Sequence, residues 1–201
     1  MPIRTSLVAI TLALTLVLGG VSLAESGAPE GFDPDLWTEG KRAYNEVGGM
    51  GCSGCHGRFG ANELGGAPVI RGDDIDVIRI HGAVQGMQAM VFLQAIITES
   101  EIEAIAHYLD YLGTMEPYVV TMRRGELSLA NTTLPPSTHV QLILYNQDRG
   151  TCTWTVDGAD VEGIAIDGRT MDALDWSTGE AGTYEAYCAE APDTRLVLTI
   201  E

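Results

Sequence analysis

Two cysteines and a histidine in the stretch GMGCSGCHGRFG, residues 49–60, are the side chains whose types and spacing point most directly to chemistry. Cys52 and Cys55 lie three positions apart, and His56 follows at once. Two thiols at this spacing can add to the two vinyl groups of one haem, and the histidine is then held against the iron. The motif therefore predicts one covalent haem c, attached through Cys52 and Cys55, with His56 as an axial iron ligand.

Two other kinds of site use cysteines at this spacing, and the sequence favours neither. A thioredoxin-like redox motif is expected in a strand–helix–strand setting, whereas residues 34–113 have a helical pattern. A structural zinc site needs four ligands, and no second pair of cysteines lies near the motif. Haem attachment is the stronger hypothesis.

The motif is expected to lie among helices. Apolar periodicity predicts helices over residues 34–47, 73–81 and 98–112. Thr98 and Glu101 have the spacing of a capping box, which marks the start of the third helix. These helices are the elements that must position the two thiols and the imidazole.

The helical region, residues 35–113, resembles the small single-haem cytochromes c. Gly40 and Tyr44 match the glycine and the aromatic residue of the family's first helix, which crosses its last helix near the residue matched by Tyr108. Pro68, in the stretch GGAPVIRG, matches the proline that lies beside the histidine ligand. The resemblance implies an all-α domain around the haem.

The second iron ligand is assigned through the same resemblance. The stretch GMQAM matches the segment that usually supplies it, so Met87 is the expected ligand, with Met90 and His81 as alternatives. Iron with both axial positions filled transfers electrons, whereas an open position would allow reaction with peroxide, a nitrogen oxide or a gas. Arg58 and Arg71 are candidates to pair with haem propionates or to lie on the surface.

From residue 118 onward the apolar period changes to two, as in HVQLILYN, and several short strands separated by turns predict a β-sandwich. Residues 118–201 resemble the cupredoxins, the Greek-key sandwiches of blue-copper proteins, through TCTWTV and GTYEAYC. Cys152 stands at the first histidine ligand of that family and Cys188 at its thiolate, and neither histidine nor methionine follows Cys188. The resemblance therefore implies no copper and a disulfide between these two cysteines.

The N-terminus and the overall charge define the expected compartment and partners. Residues 1–24 have one early charge, a short apolar run and small residues at the end, which predicts a secretory signal peptide and a periplasmic or secreted bacterial protein. No later segment is apolar enough to span a membrane. The net charge of -17 disfavours nucleic acid and favours a redox partner with a basic docking face.

The sequence thus predicts a multidomain chain: a signal peptide (1–24), an all-α cytochrome c domain (25–113), a short linker (114–117) and an all-β Greek-key cupredoxin-like sandwich (118–201). The predicted function is that of a periplasmic c-type cytochrome without catalytic residues. It would pass single electrons between redox partners, such as a dehydrogenase or a membrane respiratory complex, with the sandwich as a docking domain. A haem enzyme with an open iron site and an assembly subunit of a larger oxidoreductase complex are the alternatives.

Overall fold

A computed structural model of the chain describes residues 29–72 and 74–201. The predicted signal peptide, residues 1–24, lies outside the described residues. Within the described ranges, no helix is both long enough and apolar enough to cross a membrane.

The described N-terminal part is helical up to residue 113. Its α-helices are α1 (Pro34–Glu46), α2 (Ser53–His56), α3 (Val77–Gly86) and α4 (Glu99–Gly113), with 3₁₀ turns at Val47–Gly49 and Val91–Ala95.

Side-chain caps fix where these helices begin. The carboxylate of Asp33 accepts hydrogen bonds from two backbone N–H groups at the start of α1. Thr98 and Glu101 form the predicted capping box of α4. The helix predicted over residues 73–81 is α3, and it begins later than predicted. Asp76 caps its start by accepting a hydrogen bond from the backbone N–H of Arg79 at 2.8 Å.

The first and last helices cross at a glycine, as the sequence predicted. Gly40 of α1 is buried against Ala104 and Tyr108 of α4. The ring centroids of Tyr44 and Tyr108 lie 5.6 Å apart beside this crossing. Absence of a side chain at Gly40 lets the two helix backbones approach closely.

The C-terminal part forms two packed sheets. The strands are β1 (Glu116–Arg123), β2 (Glu126–Leu127), β3 (Asn131–Leu134), β4 (His139–Asn146), β5 (Cys152–Asp157), β6 (Ile164–Ile166), β7 (Thr170–Ser177), β8 (Gly182–Cys188) and β9 (Ala191–Ile200). One sheet has the order β2-β1-β4-β7 and the other β3-β9-β8-β5-β6. The pairs β1–β4 and β3–β9 are parallel, and the other paired strands are antiparallel. The predicted β-sandwich is confirmed.

Strand β4 is buried on both of its faces. Leu142 and Leu144 belong to the core between the two sheets, whereas Ile143, which is 0% exposed, packs into the core formed by the helices. Met171 of the neighbouring strand β7 also joins the helical core. The helices therefore form a third layer on the outer face of the first sheet.

This arrangement shows that the predicted fold class is wrong. The described residues contain four short helices and nine strands, and the helices complete their core with side chains of the sheet, so they do not form an all-α cytochrome c domain. The run Leu142–Leu144 breaks the two-residue alternation of HVQLILYN. Such an apolar run is typical of a strand covered on both sides.

Candidate redox site at the Cys-x-x-Cys-His motif

The motif lies on a single helical turn that follows α1. Cys52 precedes α2 and is buried, whereas Cys55 is exposed, and both thiols are free. Burial raises the pKa of the Cys52 thiol to about 11. At neutral pH this sulfur is therefore protonated and a poor nucleophile for disulfide exchange.

The imidazole of His56 is buried and held in place by one hydrogen bond. Its Nδ1 atom lies 2.9 Å from the backbone oxygen of Pro68, and the ring is 8% exposed. When Nδ1 carries the proton and donates it to this carbonyl, Nε2 keeps its lone pair. The structure thus places Pro68 next to His56 and leaves one ring nitrogen able to bind a metal.

The loop after the motif is fastened to the rest of the helical layer. The Tyr44 hydroxyl donates to the backbone oxygen of Gly57 at 2.8 Å. Glu63 accepts from the backbone N–H of Phe59 at 2.8 Å, and its second carboxyl oxygen is buried without a partner among the described residues. Burial raises the pKa of Glu63. These contacts fix the backbone that carries His56.

An apolar cleft of about 200 Å³ opens beside the motif. Side chains of α3 and α4, including Ile80, Ile105 and Leu109, form its walls. Cys52, His56, Pro68, Met87 and Met90 also line it. The structure therefore brings the buried thiol, the imidazole and both candidate methionines to one cavity.

The structure distinguishes among the three residues predicted as the second iron ligand. Met87 follows α3 and is half exposed, and Met90 lies three residues further along the same edge of the cleft. His81 does not line the cleft, because its Nε2 atom lies 2.6 Å from a carboxylate oxygen of Glu99 at the start of α4. His81 is thus engaged elsewhere.

Arg71 has a role that the sequence did not indicate. Its guanidinium donates to the backbone oxygens of Leu112 at 2.8 Å and Met115 at 3.0 Å, and to the Gln141 side chain at 3.0 Å. It therefore joins the helical layer to strand β4. Arg58 also bridges the layers, because it donates to the backbone oxygen of Met171 at 3.0 Å.

The predicted disulfide between Cys152 and Cys188 is confirmed. The two residues are 0% and 2% exposed, and their Cα atoms lie 5.1 Å apart. The Sδ atom of Met122 lies 3.3 Å from Cys188 Sγ. Because the bond is enclosed by the sandwich core, we interpret it as structural.

Comparisons with known proteins give only distant similarities. No protein-family model and no curated protein matches the sequence. The chain is similar to the solved structure of auracyanin B, with 16% identity and a TM-score of 0.37 over 43% of this chain and 88% of that one. It is also similar to amicyanin from Paracoccus versutus, with 17% identity and a TM-score of 0.34 over 41% and 79% of the two chains. The similar region is the C-terminal β part.

The findings contradict the cofactor prediction of one covalent haem c. Among the described residues, no three His, Cys, Asp or Glu side chains gather in a way that could hold a metal ion. The cleft beside His56, at about 200 Å³, is also smaller than the roughly 300–1,000 Å³ of usual cofactor sites.

Proposed function

We propose that the chain is an exported protein that passes single electrons between redox partners, with Cys52, Cys55, His56 and Met87 as its redox site. The observation that carries this proposal is the meeting of Cys52, His56 and Met87 at one apolar cleft, with Cys55 in the same helical turn as His56.

The donor set of the cleft supports redox chemistry. Thiol, imidazole and thioether side chains suit soft or borderline transition metals, whereas magnesium and calcium prefer oxygen ligands. Cys52, His56 and Met87 would hold a redox-active metal ion, which would supply one-electron chemistry at the cleft. The apolar walls would keep water away from it, which lowers the reorganisation that accompanies a change of charge.

Thiol–disulfide exchange is a weaker candidate for this site. Such exchange needs a thiolate at the pH of the reaction. Burial holds the pKa of Cys52 at about 11, and the helical turn that carries both cysteines lacks the strand–helix–strand setting expected of a thioredoxin-like motif.

Charge supports a protein partner with a basic docking face. The chain has 28 acidic and 11 basic residues, and a strong negative field accelerates encounter with positively charged surfaces. With residues 1–24 acting as an export signal, such a partner would be periplasmic or secreted. A dehydrogenase or a membrane respiratory complex fits this description.

The test is to express the full chain with its own export signal in a bacterium. The purified protein is then analysed by metal analysis and protein-film voltammetry. We expect one redox-active metal per chain and one reversible one-electron wave. Both should be lost in the double variant Cys52→Ala, Cys55→Ala.

A matched pair of variants tests the assignment of the methionine. Met87→Leu should lower the reduction potential, because a thioether ligand favours the reduced state of the metal. Met90→Leu should leave the potential unchanged. A purified protein without a redox-active metal and without a reversible wave would refute the proposed function.

A further inference from the structure

A second cavity, of about 410 Å³, lies where the helical layer meets the sandwich. Its volume is in the range of usual small-molecule sites, which occur preferentially between packed units of structure. The side chains that matter here come from the segment before α1, from α4, from β4 and from β7: Glu30, Phe32, Tyr111, His139, Asp175 and Trp176. None of them lines the cleft beside His56.

Two aromatic rings of the helical side line this cavity. The rings of Phe32 and Tyr111 meet edge to face, with centroids 5.3 Å apart and an interplanar angle of 77°. Trp176 also lines the cavity, but its ring packs against Tyr184 in the core between the two sheets. Faces of aromatic rings carry partial negative charge and attract cations.

Carboxylates add full negative charge to the same cavity. Asp175 accepts hydrogen bonds from the Tyr111 hydroxyl at 3.0 Å and from the Gln141 amide at 2.9 Å, which fix its orientation. Neither Asp175 nor Glu30 forms an ion pair with any basic side chain that the structure describes. The nearest basic group in this network is Arg71, which contacts Gln141 on its carbonyl side.

His139 completes the polar side of the cavity. Its Nδ1 atom lies 3.1 Å from the Ser177 hydroxyl, and the imidazole is exposed.

We propose that this cavity binds a small organic cation that carries an ammonium group. The rings of Phe32 and Tyr111 beside two carboxylates without ion partners are the combination that such a cation needs. The net charge of -17 would raise its concentration near the protein. A bare metal ion fits less well, because no group of three ligating His, Cys, Asp or Glu side chains occurs in the described ranges. This site is independent of the proposed redox function.

The experiment measures binding of choline to the full processed chain by isothermal titration calorimetry at low ionic strength. The uncharged isostere 3,3-dimethyl-1-butanol has the same shape without the charge, and we expect it not to bind. Glu30→Gln and Phe32→Leu should each weaken choline binding by about two- to fivefold. Glu126→Gln, which removes the same charge from the exposed strand β2, should leave binding unchanged.

Several results would overturn the proposal. Equal binding of the isostere would indicate a neutral ligand, such as a sugar, and an equal loss in Glu126→Gln would indicate a general field effect. Absence of saturable choline binding at millimolar concentrations would also refute it. Circular dichroism checks that Phe32→Leu folds, and Glu30→Gln changes an exposed side chain, so the test does not depend on a fragile variant.

Discussion

Replacing Gly40 by alanine should destabilise the protein by separating α1 from α4. A Cβ atom built at this position overlaps the carbonyl oxygen of Ala104 and lies 2.7 Å from its carbonyl carbon and 2.8 Å from the Cβ of Tyr108. All of these atoms belong to the backbone of α4 or to the first atom of a side chain. Neither neighbour can rotate away, so the helices themselves must move apart.

The magnitude follows from two opposing effects. Overpacking of a close contact costs about 1–3 kcal/mol, and a clash with backbone belongs at the upper end of that range. Alanine in the middle of a helix is favoured over glycine by about 1 kcal/mol. We therefore expect Gly40→Ala to lower the free energy of unfolding by about 2 kcal/mol.

Urea unfolding followed by far-ultraviolet circular dichroism measures this change. Gly82→Ala is the matched control, because Gly82 also lies inside a helix and a Cβ there meets nothing within 4 Å. The control should be stabilised by about 0.5–1 kcal/mol, since only helix propensity changes. The difference between the two variants isolates the contact with α4.

An unchanged or higher urea midpoint for Gly40→Ala would refute the close packing of α1 on α4. The shape of the transition carries separate information. Because Ile143 and Met171 of the sheet complete the helical core, helices and sheet should unfold in one transition. Two separated transitions in the wild-type protein would contradict the shared core.

Three further changes test other parts of the fold. Burial raises the pKa of Glu63, so its contribution to stability is fully present below the unfolded pKa and is lost as the pH rises through the folded pKa. Glu63→Gln should therefore flatten the fall in urea midpoint as the pH rises above about 4.3, the usual pKa of a glutamate, and an unchanged slope would contradict this. Replacing Cys152 and Cys188 by alanine should lower the free energy of unfolding by about 4 kcal/mol, because the disulfide closes a 36-residue separation. If the double variant unfolds at the wild-type urea concentration, the bond has no stabilising role. Arg71→Met should cost about 3 kcal/mol, because it leaves several buried acceptors unsatisfied, whereas loss of only a few tenths would show that water replaces the guanidinium.

Local signals in the sequence predicted local structure well. Asp33 and Thr98 mark the starts of α1 and α4, because a side-chain oxygen at a helix N-terminus satisfies backbone donors wherever the helix packs. The alternation in residues 139–146 predicted β4, and the two distant cysteines predicted the disulfide. Each of these signals depends on a few neighbouring residues or on one pairwise bond.

The third layer could not be predicted in the same way, because it depends on which surfaces meet. Ile143 is an apolar residue at a strand position whose side chain points to a face that a two-layer sandwich would leave to water. Its neighbours Leu142 and Leu144 gave the only local sign that both faces are covered. Likewise, Arg71 lies in a loop with no periodicity, and nothing in its own segment indicates that its partners are 41 and 70 residues away.

The position of Arg71 explains why the sheet matters to the candidate site. Burial lowers the pKa of this guanidinium, but an arginine remains charged. The hydration that the charged group loses on burial must therefore be replaced by several hydrogen-bond acceptors at once. Those acceptors are the backbone oxygens of Phe59, from the loop after the motif, and Leu112, from the end of α4, together with the Gln141 side chain on β4. A single half-buried cation thus requires the motif loop, the last helix and the sheet to keep their relative positions. The sandwich is therefore part of the scaffold that holds His56 and the cleft, because any movement of the sheet would break the set of acceptors that keeps this charge buried.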